Sequence, residues 1–249
     1  MPLFITFEGG EGSGKSFQSS VLYKLLTREN IPSILTREPG GTPLGEEITK
    51  CLKWQTSGIS PIAELLLFNA SRSHLIETVI KPALKDGKVV ICDRFTDSTI
   101  VYQGYGREMD METIEKINNT ATGGLKPDLT ILMDILPGIG LARKRGQKRD
   151  RFERESLAFH NKVRRGYLAL AAKEPERWII IDASKSKEEI AREIWQRVRK
   201  LISERADEQV TGTTDETSGE IVIDEHIGEI SENKVPGNTD QKGDERAGQ

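Results

Sequence analysis

The 249-residue sequence predicts an α/β protein built on a doubly wound parallel sheet, and three observations lead there. Five short runs rich in β-branched residues alternate with longer amphipathic stretches up to about residue 204. The runs are nearly continuous in apolar residues, the pattern of strands buried on both faces under helices. A glycine-rich segment follows the first run and leads straight into an amphipathic stretch, the strand–loop–helix order of such a fold.

The first run spans residues 3–7 (LFITF), with glycines at 9, 10, 12 and 14 behind it and a helical stretch around 21–26. The second spans 33–36, with Arg37 directly after it. Ser60 and Pro61 then read as an N-cap with a first-turn proline, opening a long helical stretch. The third run, 89–92 (VVIC), precedes Asp93 and Arg94, and Cys92 is expected as a small buried hydrophobe. The fourth (129–133) and fifth (178–181) enclose an arginine-rich segment, and Ser186 to Glu189 (SKEE) reads as a capping box before a last helix. No internal repeat is present.

Charge divides the chain. Residues 205–249 hold twelve acidic against four basic side chains and no Phe, Trp or Tyr, a net of −8 that leaves +5 on residues 1–204 of a chain whose formal charge is −3. Residues 1–204 are therefore expected as one domain, and 205–249 as an acidic, disordered tail that buries too little surface to offset its ordering entropy. The stretch 221–230 (IVIDEHIGEI) is read as part of that solvated tail. A mildly basic domain suits anionic ligands of many kinds and selects none.

The longest unbroken apolar run, residues 167–172, is far short of the ~18–20 residues that cross a bilayer. The first residues carry no basic start, long apolar stretch or cleavage site, so a cytoplasmic protein without membrane partners is expected. Cys51 and Cys92 form no CxxC or Cys/His cluster and predict neither a disulfide framework nor a zinc site.

Gly9, Gly10, Glu11, Gly12, Ser13, Gly14, Lys15 and Ser16 fit GxxxxGK[ST] in the strand-to-helix context that motif requires. Glycines let backbone N–H groups close around phosphate oxygens, Lys15 reaches the β- and γ-phosphates, and the Ser16 hydroxyl ligates Mg²⁺. The class sharpens to a P-loop NTPase-type five-stranded sheet. Phe17 stands where many such loops carry a second hydroxyl, which predicts a weaker α-phosphate contact. A GTP switch would need NKxD, and the pairs Asn161-Lys162 and Asn233-Lys234 lack the Asp. A nucleic-acid motor would need a larger chain with a basic, aromatic-laced groove. What remains is a kinase of small phosphorylated molecules, which must hold two anions end to end under a mobile cover. Arginines occur at separated places: Arg37 in TREPGGT, Arg94 in DRF, and the run RKRGQKRDR from 143 to 151. Five Arg or Lys within seven residues repel one another until an anion arrives, which suits a lid.

The segments FEGGEGSGKS, REPGGTPLGEEI, ELLLFNASRSHLIETVIKPAL, VVICDRFTDSTIVYQGYGR, and DRFE followed by FHNKVRRGY resemble thymidylate kinases of the bacterial type over nearly all of residues 1–202. The resemblance implies transfer of a phosphoryl group from ATP to dTMP, with Mg²⁺ as cofactor, no nucleic-acid partner, and usually a homodimer. It also implies that Phe68 stacks on the thymine and Arg72 bonds its carbonyl edge. Spaced four apart on one helix, the two can face one pocket, although Phe68 would also serve as ordinary core. Arg37 and Arg94 would grip the monophosphate, forked donors being suited to it. Asp93 would orient Mg²⁺ through water; a structural Asp93–Arg94 pair is disfavoured because strand neighbours point to opposite faces. Glu11 would accept the sugar 3′-OH. Ser98, Thr99, Tyr102 and Gln103 match the segment around base and sugar, where Tyr102 either crowds the 2′ position or simply packs. The P-loop has no arginine at 10–13, so the catalytic arginine is expected from the lid, among Arg145, Arg149 and Arg151, with Arg151 in DRFE the clearest match. The alternatives are a kinase of another nucleoside monophosphate and a catalytically silent nucleotide-binding protein.

Overall fold

The computed structural model describes residues 2–55, 58–144, 146 and 148–210. Five parallel strands, β1 (Leu3–Glu8), β2 (Ser33–Arg37), β3 (Val89–Asp93), β4 (Leu129–Asp134) and β5 (Trp178–Asp182), form one sheet in the order β2-β3-β1-β4-β5. The central β1 has β3 on one side and β4 on the other, which is the topological switch point where such sheets open a crevice beyond their carboxyl ends. β1 is buried throughout, and β3 and β4 over all but the last residue of each. The edge strands depart from the expected two-sided burial: with one neighbour each, they leave Leu35 of β2 and Ile180 of β5 exposed.

Alternation along β1 feeds two apolar layers. Leu3, Ile5 and Phe7 pack with Val21, Leu22, Leu25 and Leu26 of α1 (Lys15–Arg28) and with Ile190, Ile194, Trp195 and Val198 of α9 (Lys187–Val210). Phe4 packs on the other face with Val90, Cys92, Leu75, Ile76 and Ile80, so Cys92 is the buried hydrophobe it was expected to be. Full burial of each such side chain stabilises by roughly 1.5–3 kcal/mol.

Helix starts follow local chemistry. In α2 (Pro43–Trp54) the Thr42 hydroxyl accepts the Gly45 N–H at 3.0 Å, and in α3 (Pro61–Leu75) Ser60 caps ahead of Pro61. At α9 the predicted box forms, Glu189 N–H donating to Ser186 Oγ at 3.2 Å and Ser186 N–H to Glu189 Oε2 at 3.0 Å. α3 continues through a wider π-type turn (Ile76–Ile80) into α4 (Lys81–Lys85). α6 (Met111–Thr122) leads into β4, and α8 (Leu157–Lys173) lies between the lid and β5. α9 runs to Val210, past the boundary expected at 204. Arg205 anchors it, bonding Pro2 O at 2.9 Å and pairing with Asp128, so the helix outlasts the change in composition. The rest of the acidic segment, including 221–230, lies outside the described residues.

Two long-range contacts set the crevice. α7 (Pro137–Arg143) crosses the glycine loop so closely that a Cβ on Gly140 would stand 2.2 Å from Glu11 O. The second contact involves α5 (Thr96–Thr99), whose N-cap position is Phe95, a residue with no side-chain acceptor. Glu8, the buried last residue of β1, supplies the cap from across the sheet. Its Oε1 accepts Phe95 N–H at 2.8 Å and Ser98 N–H at 3.3 Å, and its Oε2 accepts the Ser98 hydroxyl at 2.6 Å and the Tyr167 hydroxyl at 2.8 Å. Arg94, just before, has φ 74°, a left-handed conformation unfavourable for a long side chain and imposed here by what surrounds it.

Burial, then the charge of Asp97, push the Glu8 carboxyl up from 4.5 to about 7, against the pull of Arg94 and the bonds from Ser98 and Phe95. A carboxyl that holds its proton more tightly when folded adds stability that is complete below pH 4.5 and gone above about 7. Glu8→Gln cannot titrate. We predict that its melting temperature, relative to the unsubstituted protein, climbs between pH 4.5 and 7 and levels off above, as read by calorimetry; parallel curves would contradict this reading.

Candidate active site

At the carboxyl ends of β1 and β3 the chain encloses a cavity of about 420 Å³. One end is the glycine loop. Gly9, at φ 138°, sits so close to β4 that a Cβ would meet Met133 O at 2.5 Å, and Gly12, at φ 70°, lies against Gly140. α1 starts at Lys15 with no side chain capping it, which leaves its first N–H groups turned to the crevice. Lys15 Nζ folds back over the loop to Gly10 O at 2.8 Å and Ser13 Oγ at 3.3 Å. Burial, then the neighbouring Arg94 charge, lower its ammonium to about 8, with Glu11, Asp93 and Glu8 opposing. Approaching phosphates would favour the charged form.

The Ser16 hydroxyl donates to Asp93 Oδ2, while Asp93 Oδ1 is buried with no hydrogen-bond partner. A hydroxyl, a carboxylate and an orphaned carboxylate oxygen at the phosphate loop fit a small divalent cation that keeps its own waters. Among the described residues no cluster of three or more His, Cys, Asp or Glu forms a protein-only cage. Asp93 and Arg94 make no pair with each other: Arg94 turns to the opposite side.

There the Arg94 guanidinium donates to Glu11 Oε1 at 2.7 Å, Tyr102 OH at 3.1 Å, Ser98 Oγ at 3.1 Å and Gly9 O at 3.2 Å. Glu11 also accepts from Tyr102 OH at 2.9 Å and Lys144 Nζ at 3.3 Å. Burial opposes its charge, yet Arg94, Lys15 and Lys144 together hold its carboxyl well below the usual range. Arg37, at the end of β2, reaches Glu46 Oε1 at 2.7 Å and lines the cavity. Phe68 borders the cavity with its ring 5.7 Å from that of Phe152, and Tyr102 stands 6.0 Å from the same ring. Thr99 is buried, its hydroxyl without a partner among the described residues, and Gln103 donates its amide N–H to Glu64 at 2.6 Å.

Three of the expected residues either bond groups of the chain itself or lie outside the cavity. Arg72 lines the cavity, but its N–H groups already face Glu38 Oε2 (2.8 Å), Asn69 Oδ1 (3.2 Å), Asn118 Oδ1 (2.9 Å) and Phe95 O (3.1 Å). In this arrangement the acceptor that an arginine on this helix requires is the buried Glu38. Arg151 lies outside the cavity: its Nη1 pairs with buried Glu64 at 2.5 Å, and its Nε donates to Leu52 O at 3.1 Å. Arg149 is exposed and also outside, and Arg145 falls outside the described residues. The basic residues that do line the cavity from this segment are Arg143, whose Nη2 donates to Ala183 O at 3.0 Å, and Lys144, bonded to Glu11 and Glu153.

Glu8, Glu38, Glu64, Phe152 and Lys144 were missed as participants. Lys144 stood inside the basic run, and Phe152 beside Arg151 in DRFE, where an aromatic among charges was a readable signal. The three glutamates gave none, because their partners are 34 to 159 residues distant.

The model of the thymidylate kinase family matches residues 7–194. A thymidylate kinase of Dehalococcoides mccartyi (strain BAV1) is 55% identical over 203 residues, covering 81% of this chain and 98% of that protein. One from Synechococcus sp. (strain JA-3-3Ab) is 51% identical over 197 residues, covering 79% and 95%. The crystal structure of thymidylate kinase from Ehrlichia chaffeensis superposes with a TM-score of 0.66 at 35% identity, covering 79% of this chain and 98% of that one. With a family match over most of its length and a phosphate loop facing an arginine across one cavity, the chain belongs to the thymidylate kinase family.

Proposed function

We propose that this protein transfers the γ-phosphoryl group of ATP to dTMP, giving ADP and dTDP. The observation that carries this reading is the opposition, across one cavity, of the Lys15–Ser16 loop and the Arg94 guanidinium. The loop and the open N-terminus of α1 take the triphosphate. Arg94 and Arg37 take the monophosphate, exchanging Glu11 and Glu46 for the substrate's oxygens, so preformed pairs are traded for equivalent ones. Glu11, relieved of Arg94, then accepts the sugar 3′-OH. Tyr102, fixed by bonds to Glu11 and Arg94, crowds the 2′ position and favours deoxyribose.

Ser16 and Asp93 would hold Mg²⁺, which would supply compensation for phosphate charge. The chain's own residues align the two phosphates in line and offset the charge that spreads over the moving group. The attacking oxygen is already anionic, so no protein base is assigned. Arg143 and Lys144 close the lid side. Arg149 and Arg151 would act only after that segment changes course, whereas Arg143 and Lys144 already line the cavity in this arrangement.

We assign the kinase unit to residues 1–204, with α9 continuing it to Val210 and the acidic remainder outside the chemistry. No helix among the described residues is long and apolar enough to cross a membrane, and we assign the protein to the cytoplasm. The exposed side chains of Ile62 and Leu66 with Ala70 form an apolar stripe along α3 at helical spacing, which supports a homodimer through that face.

In a coupled ADP-release assay over dTMP, dUMP, UMP, CMP, AMP and GMP, dTMP is predicted to give the highest kcat/KM; another clear winner would overturn the substrate. Lys15→Ala or Arg94→Ala is expected to lower turnover about a hundredfold or more with the fold retained by circular dichroism, and near-normal turnover in either would contradict the site. Leu66→Glu should shift the sedimenting species from dimer to monomer, whereas an unchanged species would remove α3 as the interface.

A further inference from the structure

Within the reading of the site as a dTMP site, one buried carboxyl takes no part in the chemistry just described. Glu8 is fully buried and meets Arg94 through two hydroxyls. Its Oε1 is taken by the Phe95 and Ser98 N–H groups. Its Oε2 belongs to a triangle: Ser98 Oγ stands 2.6 Å from it, Tyr167 OH 2.8 Å from it, and the two hydroxyl oxygens 2.9 Å from each other. Arg94 Nη1 donates to both hydroxyl oxygens, at 3.1 Å to Ser98 and 3.3 Å to Tyr167, besides Gly9 O at 3.2 Å.

Three contacts among three oxygens need three protons, and Ser98 and Tyr167 bring one each. Were both given to an ionised Glu8, the 2.9 Å contact between the hydroxyls would set two oxygens together with no proton between them. A proton on Oε2 completes the set. Each oxygen then donates once and accepts once around a closed ring, one hydroxyl receiving from Glu8 instead of giving to it, and each hydroxyl keeps a second lone pair for Arg94. Burial favours the same neutral form. Of the charged groups facing Glu8, Asp97 on α5, itself paired with Arg177 at 2.8 Å, disfavours its ionisation, while Arg94 and Lys15 favour it. Tyr167 of α8 and Cys92 of β3, both pushed up by burial, are neutral.

We propose that neutral Glu8 is the positioning residue of the monophosphate grip: the oxygen ring it closes with Ser98 and Tyr167 holds Arg94 by Nη1, so that Nη2 alone exchanges Glu11 for the oxygens of dTMP. Nη2 is the nitrogen that bonds Glu11 Oε1 at 2.7 Å and Tyr102 OH at 3.1 Å. An ionised Glu8 undoes this twice. The hydroxyl oxygens repel across the emptied contact, which shifts two of the three acceptors that hold Nη1. A second carboxylate besides Glu11 then competes with the phosphate for the same guanidinium. Binding of dTMP and protonation of Glu8 are therefore coupled, each favouring the other.

The test is the Kd of dTMP by titration calorimetry for the unsubstituted protein, Glu8→Gln, Tyr167→Phe and the double variant, from about pH 6 to about pH 8.5 and in buffers of two ionisation heats. Glutamine at 8 cannot ionise, while the second ionisation of the phosphate and the titration of Lys15 are common to all four proteins. The ratio of Kd, unsubstituted over Glu8→Gln, is expected to rise at least about fivefold across that range, with more protons taken up on binding by the unsubstituted protein above pH 7. In Tyr167→Phe the serine proton fills the one remaining contact, so Glu8 ionises at lower pH, and the ratio of Tyr167→Phe to the double variant should stay flat over the range. If Glu8→Gln fails to fold, the unsubstituted protein against Tyr167→Phe decides, proton uptake above pH 7 having to be larger in the first. A first ratio that stays flat or falls with pH, or equal proton uptake, would leave Glu8 as the cap of α5 alone and overturn the proposal. A rise that survives in Tyr167→Phe would overturn it too, since no ring is then needed. Absence of dTMP binding by the unsubstituted chain would instead overturn the reading of the site, and this proposal with it.

Discussion

The parallel register of β1 against β3 is the constraint from which the site follows. Phe7 lies opposite Asp93, and the ladder closes with Arg94 N–H donating to Phe7 O at 2.9 Å. The chain leaves β1 with Glu8 and the glycine loop at the same level where it leaves β3 with Asp93 and Arg94. A slip of one residue would exchange the faces of Asp93 and Arg94. The carboxylate would then point away from Ser16 and the guanidinium away from Glu11. Burial of β1 throughout, and of β3 up to Asp93, makes such a slip costly, so the hydrophobic core enforces the geometry of the charges.

The charges are themselves arranged in exchangeable pairs. A cavity meant for two phosphate esters needs several cations, and cations gathered in a part-buried space repel one another. Here three of them are held by carboxylates: Arg94 by Glu11, Arg37 by Glu46, and Lys144 by Glu11 and Glu153. Such pairing holds the guanidinium forks in position before substrate arrives and reduces the reorganisation that binding requires. It also accounts for an acid in the middle of a phosphate-binding loop. Glu11 sits among anion-binding amides because Arg94, Lys15 and Lys144 surround it.

Much of this was legible in the sequence, and the misses share a cause. All five strand runs were located, and each strand extends one residue beyond the apolar run that announced it, ending on Glu8, Arg37, Asp93, Asp134 or Asp182. Hydrophobic patterning marks where a strand is buried. The ladder continues one step into the crevice, where the residue is polar because it faces ligand or holds a neighbour. The phosphate loop and Arg94 were readable because glycine spacing and DRF are local in sequence. The partners Glu38–Arg72, Glu64–Arg151 and Glu8–Phe95 were not, since each joins segments 34 to 87 residues apart and depends on helix packing that no local pattern encodes. The same holds for Gly140, whose role exists only because Gly12 lies against it.

The central claim is that one cavity holds two nucleotides phosphate to phosphate, one in the glycine loop and one under Arg94. It is tested most directly with adenosine and thymidine joined 5′ to 5′ through five phosphates, titrated by calorimetry. The account predicts one such ligand per chain, bound more tightly than either ATP or dTMP and displaced competitively by both. Displacement by only one of the two, or binding no tighter than the better single nucleotide, would contradict it.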